Sequence, residues 1–273
     1  MRVILRWTCS QTCADVRLAR FKKVLRAAQR TQWYLPVLEE AGLATLDAVW
    51  AIDSVEGGLE RLPAVDLNEF RGSPEAFENP AGRRIRLQAF RSPLEHTPKT
   101  AILGTGFNET SCVKTIPDNR AKNLRRFGAT ALAAPLHMLL DLAAAIESGR
   151  EDIPTLRHFV VPFTGADYGE MGAMDRESLW RAFQVPVFEQ RMGFDGRVIA
   201  YECEAHDGLH MLPEEAAFEK SANSELLLTS LTDLHRPTLR VGTRVACTIY
   251  QECCDCANTS ARMVLEHLLP AAA

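Results

Sequence analysis

Residues 124–163 read LRRFGATALAAPLHMLLDLAAAIESGREDIPTLRHFVVPF, and this stretch decides the fold class. Arg120 to Phe127 and Leu136 to Glu147 carry helical patterns, and Phe159 to Phe163 is a short run rich in valine and phenylalanine that suits a buried strand after the second helix. A helix leading into a strand buried on both faces predicts an α/β layer.

Working outward, Ile85 to Phe90 alternates apolar and polar residues as a half-buried strand does. Thr100 to Leu103 predicts a second strand, running into a Gly104-Thr105-Gly106 turn, and Asp175 to Phe183 predicts an amphipathic helix. Further strands are expected at Val185 to Phe188, Val198 to Glu202, Glu225 to Thr232 and Arg244 to Tyr250. The expectation is an α/β core with an added β-rich C-terminal part. On the N-terminal side, Asp15 to Ala41 has helical spacing interrupted at Pro36, which predicts two helices stopped by Gly42. Thr45 to Phe70 reads as a turn-rich connector with one short helix, and Ser73 to Arg84, rich in Gly, Pro and charge, marks a boundary. A helical segment over 1–72 and an α/β core over 73–273 are expected.

At 273 residues and 47% hydrophobic, the chain can bury a sizeable core. Its 31 basic and 35 acidic residues give a net charge of −4 with no block of either sign, which disfavours nucleic acid as a partner. Ala129 to Ile146 is the longest apolar run, and Pro135, His137 and Asp141 break it well short of the roughly 20 residues that span a bilayer. The N-terminal MRVILRWTCSQTC is a poor secretory signal, so a soluble, cytoplasmic protein is expected. Eight cysteines then read as thiols or metal ligands rather than a disulfide framework.

Cys203 and His210 flank a turn at Gly208, while Cys254 and Cys256 sit one residue apart with Cys253 beside them. Three thiolates and one imidazole make a closed tetrahedral set suited to structural Zn²⁺. His206 is an alternative to His210 and Cys253 to Cys254; against metal altogether stands Cys203 as a small core residue beside an unrelated reduced cluster. Cys9 and Cys13 could form one edge of another site but have no evident partner pair. Asp195 could bind Mg²⁺ as a carboxylate ligand or simply be solvated. Glu202, Glu204 and Asp207 read as turn or surface residues, and the basic groups at Arg83, Arg84, Arg86, Arg125 and Arg126 as a solvated face. His96, His137 and His158 lack the local Ser or Cys pairing of a nucleophilic relay.

From Arg125 onward the order of segments resembles the phenylacetate-CoA ligase branch of the adenylate-forming enzymes. The resemblance is carried by LRRFGAT at Leu124 to Thr130 with its following Pro135, by VVPFTGAD at Val160 to Asp167, by YECEAHDGLH at Tyr201 to His210, and by ELLLTSLTDLHRPTLR at Glu225 to Arg240 ahead of Cys254-Asp255-Cys256. Residues Arg20 to Phe70 resemble the helical N-terminal segment of these ligases more loosely. The resemblance implies a reduced version of their large N-terminal domain, with Zn²⁺ held at the Cys/His positions in some relatives.

The departures qualify what the resemblance implies. Nothing between Phe70 and Ile102 has the composition of the family's phosphate loop, and Gly104-Thr105-Gly106 offers few converging N–H groups. The family's tyrosine-glycine-x-threonine-glutamate motif falls on Arg191, Met192, Gly193, Phe194 and Asp195, keeping only the acid; its ribose-binding aspartate falls on Val245, although Arg240 and Thr243 remain. The family continues beyond the position of Ala273 into a mobile domain that supplies a catalytic lysine. The expected function is therefore a zinc-stabilised binding or accessory protein with an acyl or nucleotide ligand. The alternatives are an ATP-dependent acid-CoA ligase completed by a partner chain, with Asp195 on Mg²⁺ and Arg240 and Thr243 on ATP or AMP, and a zinc-stabilised interaction module.

Overall fold

The computed structural model describes residues 3–4, 11–83, 87–117, 121–165 and 167–268. In chain order it comprises β1 (Val3–Ile4), α1 (Gln11–Ala28), α2 (Tyr34–Glu40), α3 (Leu46–Trp50), α4 (Val55–Leu59), α5 (Leu67–Gly72) and a 3-10 turn at Pro74–Phe77. It continues with β2 (Thr100–Leu103), β3 (Val113–Ile116), α6 (Ala121–Phe127), β4 (Ala131–Pro135), α7 (Leu136–Glu147), β5 (Val160–Thr164) and α8 (Ala173–Phe183). The remainder is strand: β6 (Gln190–Met192), β7 (Val198–Glu202), β8 (Leu209–Met211), β9 (Ala216–Lys220), β10 (Glu225–Ser230), β11 (Val241–Tyr250) and β12 (Arg262–Leu268).

The strands form one sheet in the order β1-β9-β10-β11-β12-β8-β7-β6-β5-β4-β2-β3. From β3 to β6 all pairings are parallel, and from β6 to β1 all are antiparallel. The mixed α/β class is thus observed, and β6 is the seam. Side-chain alternation explains why the parallel part is buried on both faces. Leu132, Ala134 and Val160 pack with Leu139 and Leu142 of α7 and Leu179 of α8. Their neighbours Ala131, Ala133 and Val161 turn the other way, onto Phe107, Phe159 and Phe188.

The N-terminal helices share a core with the antiparallel part. Phe21, Leu25, Leu38 and Phe70 pack in one cluster with Ala217, Leu239 and Val241, and the Tyr34 hydroxyl donates to Leu239 O at 3.2 Å and accepts from Leu239 N at 3.0 Å. The short helices survive because their first N–H groups are capped: Thr45 accepts from Ala48 N, Ser54 from Gly57 N, and Asp66 from Asn68 N. Three helices therefore stand in 45–72 where one was expected. Pro36 is the third residue of α2, inside the first turn, where no intrahelical N–H is needed, and Gly42 falls just past the end of that helix.

Two expected strands differ. Of Ile85 to Phe90, residues 85 and 86 lie outside the described residues, and Gln88 makes only an isolated bridge to Phe107. The Gln88 side chain is buried and serves other partners, with Nε2 donating to Gly196 O and Oε1 accepting from Val198 N. Within Val185 to Phe188 only Val187 bridges, to Val160, because Pro186 has no N–H for a ladder and regular pairing starts at Gln190. No described helix is long and apolar enough to cross a membrane.

Candidate metal centre and strand-end cleft

The antiparallel part brings Cys203, His210, Cys254 and Cys256 together, with one ligating atom of each within 4.8 Å of all the others. His210 lies in the middle of three strands, opposite Tyr201 on β7 and Arg262 on β12. Cys203 follows the end of β7, and the two later cysteines come from the turn between β11 and β12. Gly208 makes the β7–β8 turn possible: at φ 84° a side chain is strained, and a Cβ there would stand 2.8 Å from Met263 O.

Cys203 Sγ lies 3.6 Å from Cys254 Sγ, and Cys256 Sγ lies 3.3 Å from His210 Nε2. A tetrahedral zinc with bonds of about 2.0–2.3 Å has ligand separations of roughly 3.3–3.8 Å, and both of these contacts fall in that range. The other ring nitrogen, Nδ1, lies 3.1 Å from Ser260 Oγ; an Nδ1–H donated to that hydroxyl leaves the Nε2 lone pair facing the sulfurs. Burial lowers the His210 pKa and keeps the imidazole neutral. Burial also pushes the Cys203 thiol up to about 12. At Cys254 burial acts the same way, but the Cys256 N–H and the neighbouring thiols outweigh it and the net shift is downward.

The alternative ligands are occupied elsewhere. The His206 ring stacks on Phe188 with centroids 5.0 Å apart, and its Nδ1 lies 3.0 Å from Glu202 Oε1. The Cys253 sulfur points to the carbonyls of Cys254 and Asn258. Cys9 lies outside the described residues, and Cys13 is disulfide-bonded, contrary to the all-thiol expectation. Glu202, expected on a turn or surface, is instead buried: its Oε2 accepts from Arg176 Nη2 at 3.0 Å and from Glu189 N at 2.8 Å.

The C-terminal ends of β5 and β6 form a second polar centre, which the sequence reading missed. Arg191 is 1% exposed, and its guanidinium meets Glu170 through two bonds of 2.6 and 2.9 Å. Beside it, Thr164 Oγ1 donates to the buried Glu189 carboxyl at 2.6 Å, whose pKa burial raises. The proposed nucleotide residues are dispersed among internal partners. Asp195 Oδ2 accepts from Ser230 and Thr232 hydroxyls, both at 2.9 Å. Arg240 is buried, donating from Nε to Glu219 at 3.0 Å and from Nη1 to Leu62 O. Thr243 Oγ1 donates to Leu226 O at 2.9 Å. The one signal in the sequence was at Arg191, an arginine where the resemblance put a tyrosine; nothing pointed to Glu170 as its partner.

Among solved structures, the chain is similar to 2-hydroxyisobutyryl-CoA ligase in several states. The thioesterification state, in complex with 2-HIB-AMP and CoA, matches with a TM-score of 0.65 at 13% identity over 93% of this chain and 67% of the ligase. An open conformation with the same ligands matches at 0.64 and 13%, over 90% and 67%. The postadenylation state with 2-HIB-AMP matches at 0.64 and 15%, over 90% and 65%. The chain thus shares the fold of these ligases and spans about two thirds of their length. No protein-family profile matches the sequence, and no curated protein does.

Proposed function

We propose that this chain is a zinc-stabilised, phenylacetate-CoA ligase-like binding or accessory protein, which holds an acyl or nucleotide ligand on an adenylate-forming scaffold without adenylating an acid by itself. The observation that carries this reading is the Arg191–Glu170 pair. By the resemblance, Arg191 stands where the nucleotide motif's tyrosine is expected, and here its charge is met by Glu170. A doubly bonded pair whose arginine is buried is costly to open, since removing Glu170 leaves that guanidinium uncompensated. Zinc at Cys203, His210, Cys254 and Cys256 would be structural, since four protein ligands leave no position for water or substrate.

The test pairs turnover with binding. Across aliphatic and aromatic acids, acid-dependent pyrophosphate release from ATP should stay at background, while a nonhydrolysable acyl-sulfamoyl adenosine should bind with a Kd tighter than about 1 mM. Sustained release, or no binding of the mimic, overturns the reading.

A second reading is ATP-dependent acid activation completed by a partner chain, favoured by the match to ligase structures carrying 2-HIB-AMP and CoA. In it Asp195 exchanges its hydroxyl partners for Mg²⁺, and Arg240 and Thr243 contact the nucleotide after leaving Glu219 and Leu226. Pyrophosphate release that appears only when a second chain is added would favour it.

A further inference from the structure

We propose that a cavity between α1 and the 79–83 turn is a binding site for a compact polyphosphate anion. Its volume is about 410 Å³, at the small end of ligand-sized cavities, which run about 300–1,000 Å³. Lys23 and Arg26 of α1 and Arg30 from the turn just past its end line it on one side, and Arg83 lines it from the 79–83 turn. No acidic residue is among the described residues that line it.

The same helix shows how this chain treats arginines that serve the fold. Arg17 pairs with Glu56 and Arg20 with Glu215. No ion pair with a described residue engages Lys23, Arg26, Arg30 or Arg83. Four like charges around one small cavity repel one another, and an anion among them relieves that repulsion while gaining charge-assisted hydrogen bonds.

The wall between the cations is built rather than loose. Asn79 is buried, donating from Nδ2 to Leu234 O at 2.9 Å and accepting from Ala81 N at 3.1 Å. Gly82 lies flat on the Leu234–His235 backbone, where a Cβ would come within 2.3 Å of Leu234 O. Thr232 completes the lining, its hydroxyl donated to Asp195 behind it. The four cations, all exposed at the surface, therefore line one pocket from two segments far apart in sequence. Convergent guanidinium groups favour phosphate through bidentate bonds, and the charge count favours a ligand carrying several negative charges.

The experiment is calorimetric titration of the full chain with inorganic tripolyphosphate at low salt. One set of variants is the cavity pair Arg26→Ser with Arg30→Ser; the control is Arg125→Ser with Arg126→Ser, which removes equal charge elsewhere. A Kd tighter than about 1 mM is expected, weakened about tenfold by the cavity pair and under threefold by the control. Absence of binding, a loss under threefold in the cavity pair, or an equal loss in the control would overturn the site. Parallel titration with ATP identifies the source of the phosphates. Equal affinity means that the phosphate chain is the whole determinant, and tighter binding that the cavity pair abolishes means that a nucleotide is held. Neither arm depends on turnover, so this proposal and the one above fail separately.

Discussion

The turn between β11 and β12 and the ends of β5 and β6 gather buried polar side chains in opposite ways. At the first, three thiols and a ring nitrogen crowd toward one point, joined only by weak sulfur contacts, with Ser260 holding the far side of the imidazole. At the second, each donor meets an acceptor: Arg191 meets Glu170, and Thr164 meets Glu189. Sulfur and nitrogen ligands gathered this closely suit a soft cation that would displace the thiol protons; charges already matched call for nothing. The contrast separates a centre built to take something in from one built to stay shut.

The largest expected effect lies at the first centre. The purified chain should carry one zinc by elemental analysis. Stripping it with a chelator, or replacing Cys254 by Ser, should cost about 5 kcal/mol, roughly 10–20 °C in melting temperature. Equal melting of the metal-free and untreated protein would remove the structural role. Next comes Arg191→Met, which leaves the partly exposed Glu170 without its ion pair and should cost about 1–3 kcal/mol in urea unfolding. Adding Glu170→Leu should recover part of that loss; a purely additive double variant would mean that the two side chains do not act as a pair.

The Cys/His cluster was legible in the sequence because cysteine and histidine are chemically distinctive and Gly208 marked the turn that brings Cys203 toward His210. The parallel strands at Thr100 and Val160 were legible from their continuous apolar runs. Residues 113–116 and 209–220 hid theirs, since Lys114 and Thr115, or Glu219 and Lys220, interrupt the pattern on short strands whose pairing is decided by distant partners. The closure of the cleft was illegible for a related reason. Arg191 and Glu170 are 21 residues apart, and no local spacing announces that an exposed-type residue will be 1% exposed. Arg240 and Thr243 were placed by resemblance, which carries residue identity but not the Glu219 and Leu226 contacts that engage them here.

A smaller effect tests how closed the second centre is. Thr164→Val keeps the side-chain shape but removes the donor to the Glu189 carboxyl, and should cost about 1–2 kcal/mol by denaturant unfolding. A neutral result would mean that Glu189 is satisfied by other partners, and the cleft would then be less tightly matched than its geometry indicates.

A further effect is set by pH at Asp233, whose charged neighbours include Asp195. Burial pushes the Asp233 carboxyl from its ordinary 3.8 to about 6, with the Asp195 charge adding to it, against the N–H bonds from Arg236 and His235. The folded state thus holds the Asp233 proton more tightly than the unfolded chain, and between about pH 4 and 6 it binds more protons. This group's contribution is therefore full below the unfolded value and is lost as pH rises through about 6, a decline on the order of 2 kcal/mol, flat thereafter. Asp233→Asn keeps an oxygen for both N–H bonds and cannot titrate. Its unfolding free energy should lack that decline when the two proteins are compared from pH 4 to 7. Parallel curves would show that Asp233 is ionised in the fold and that its desolvation is offset by the two backbone donors, making it a matched group like those at the ends of β5 and β6.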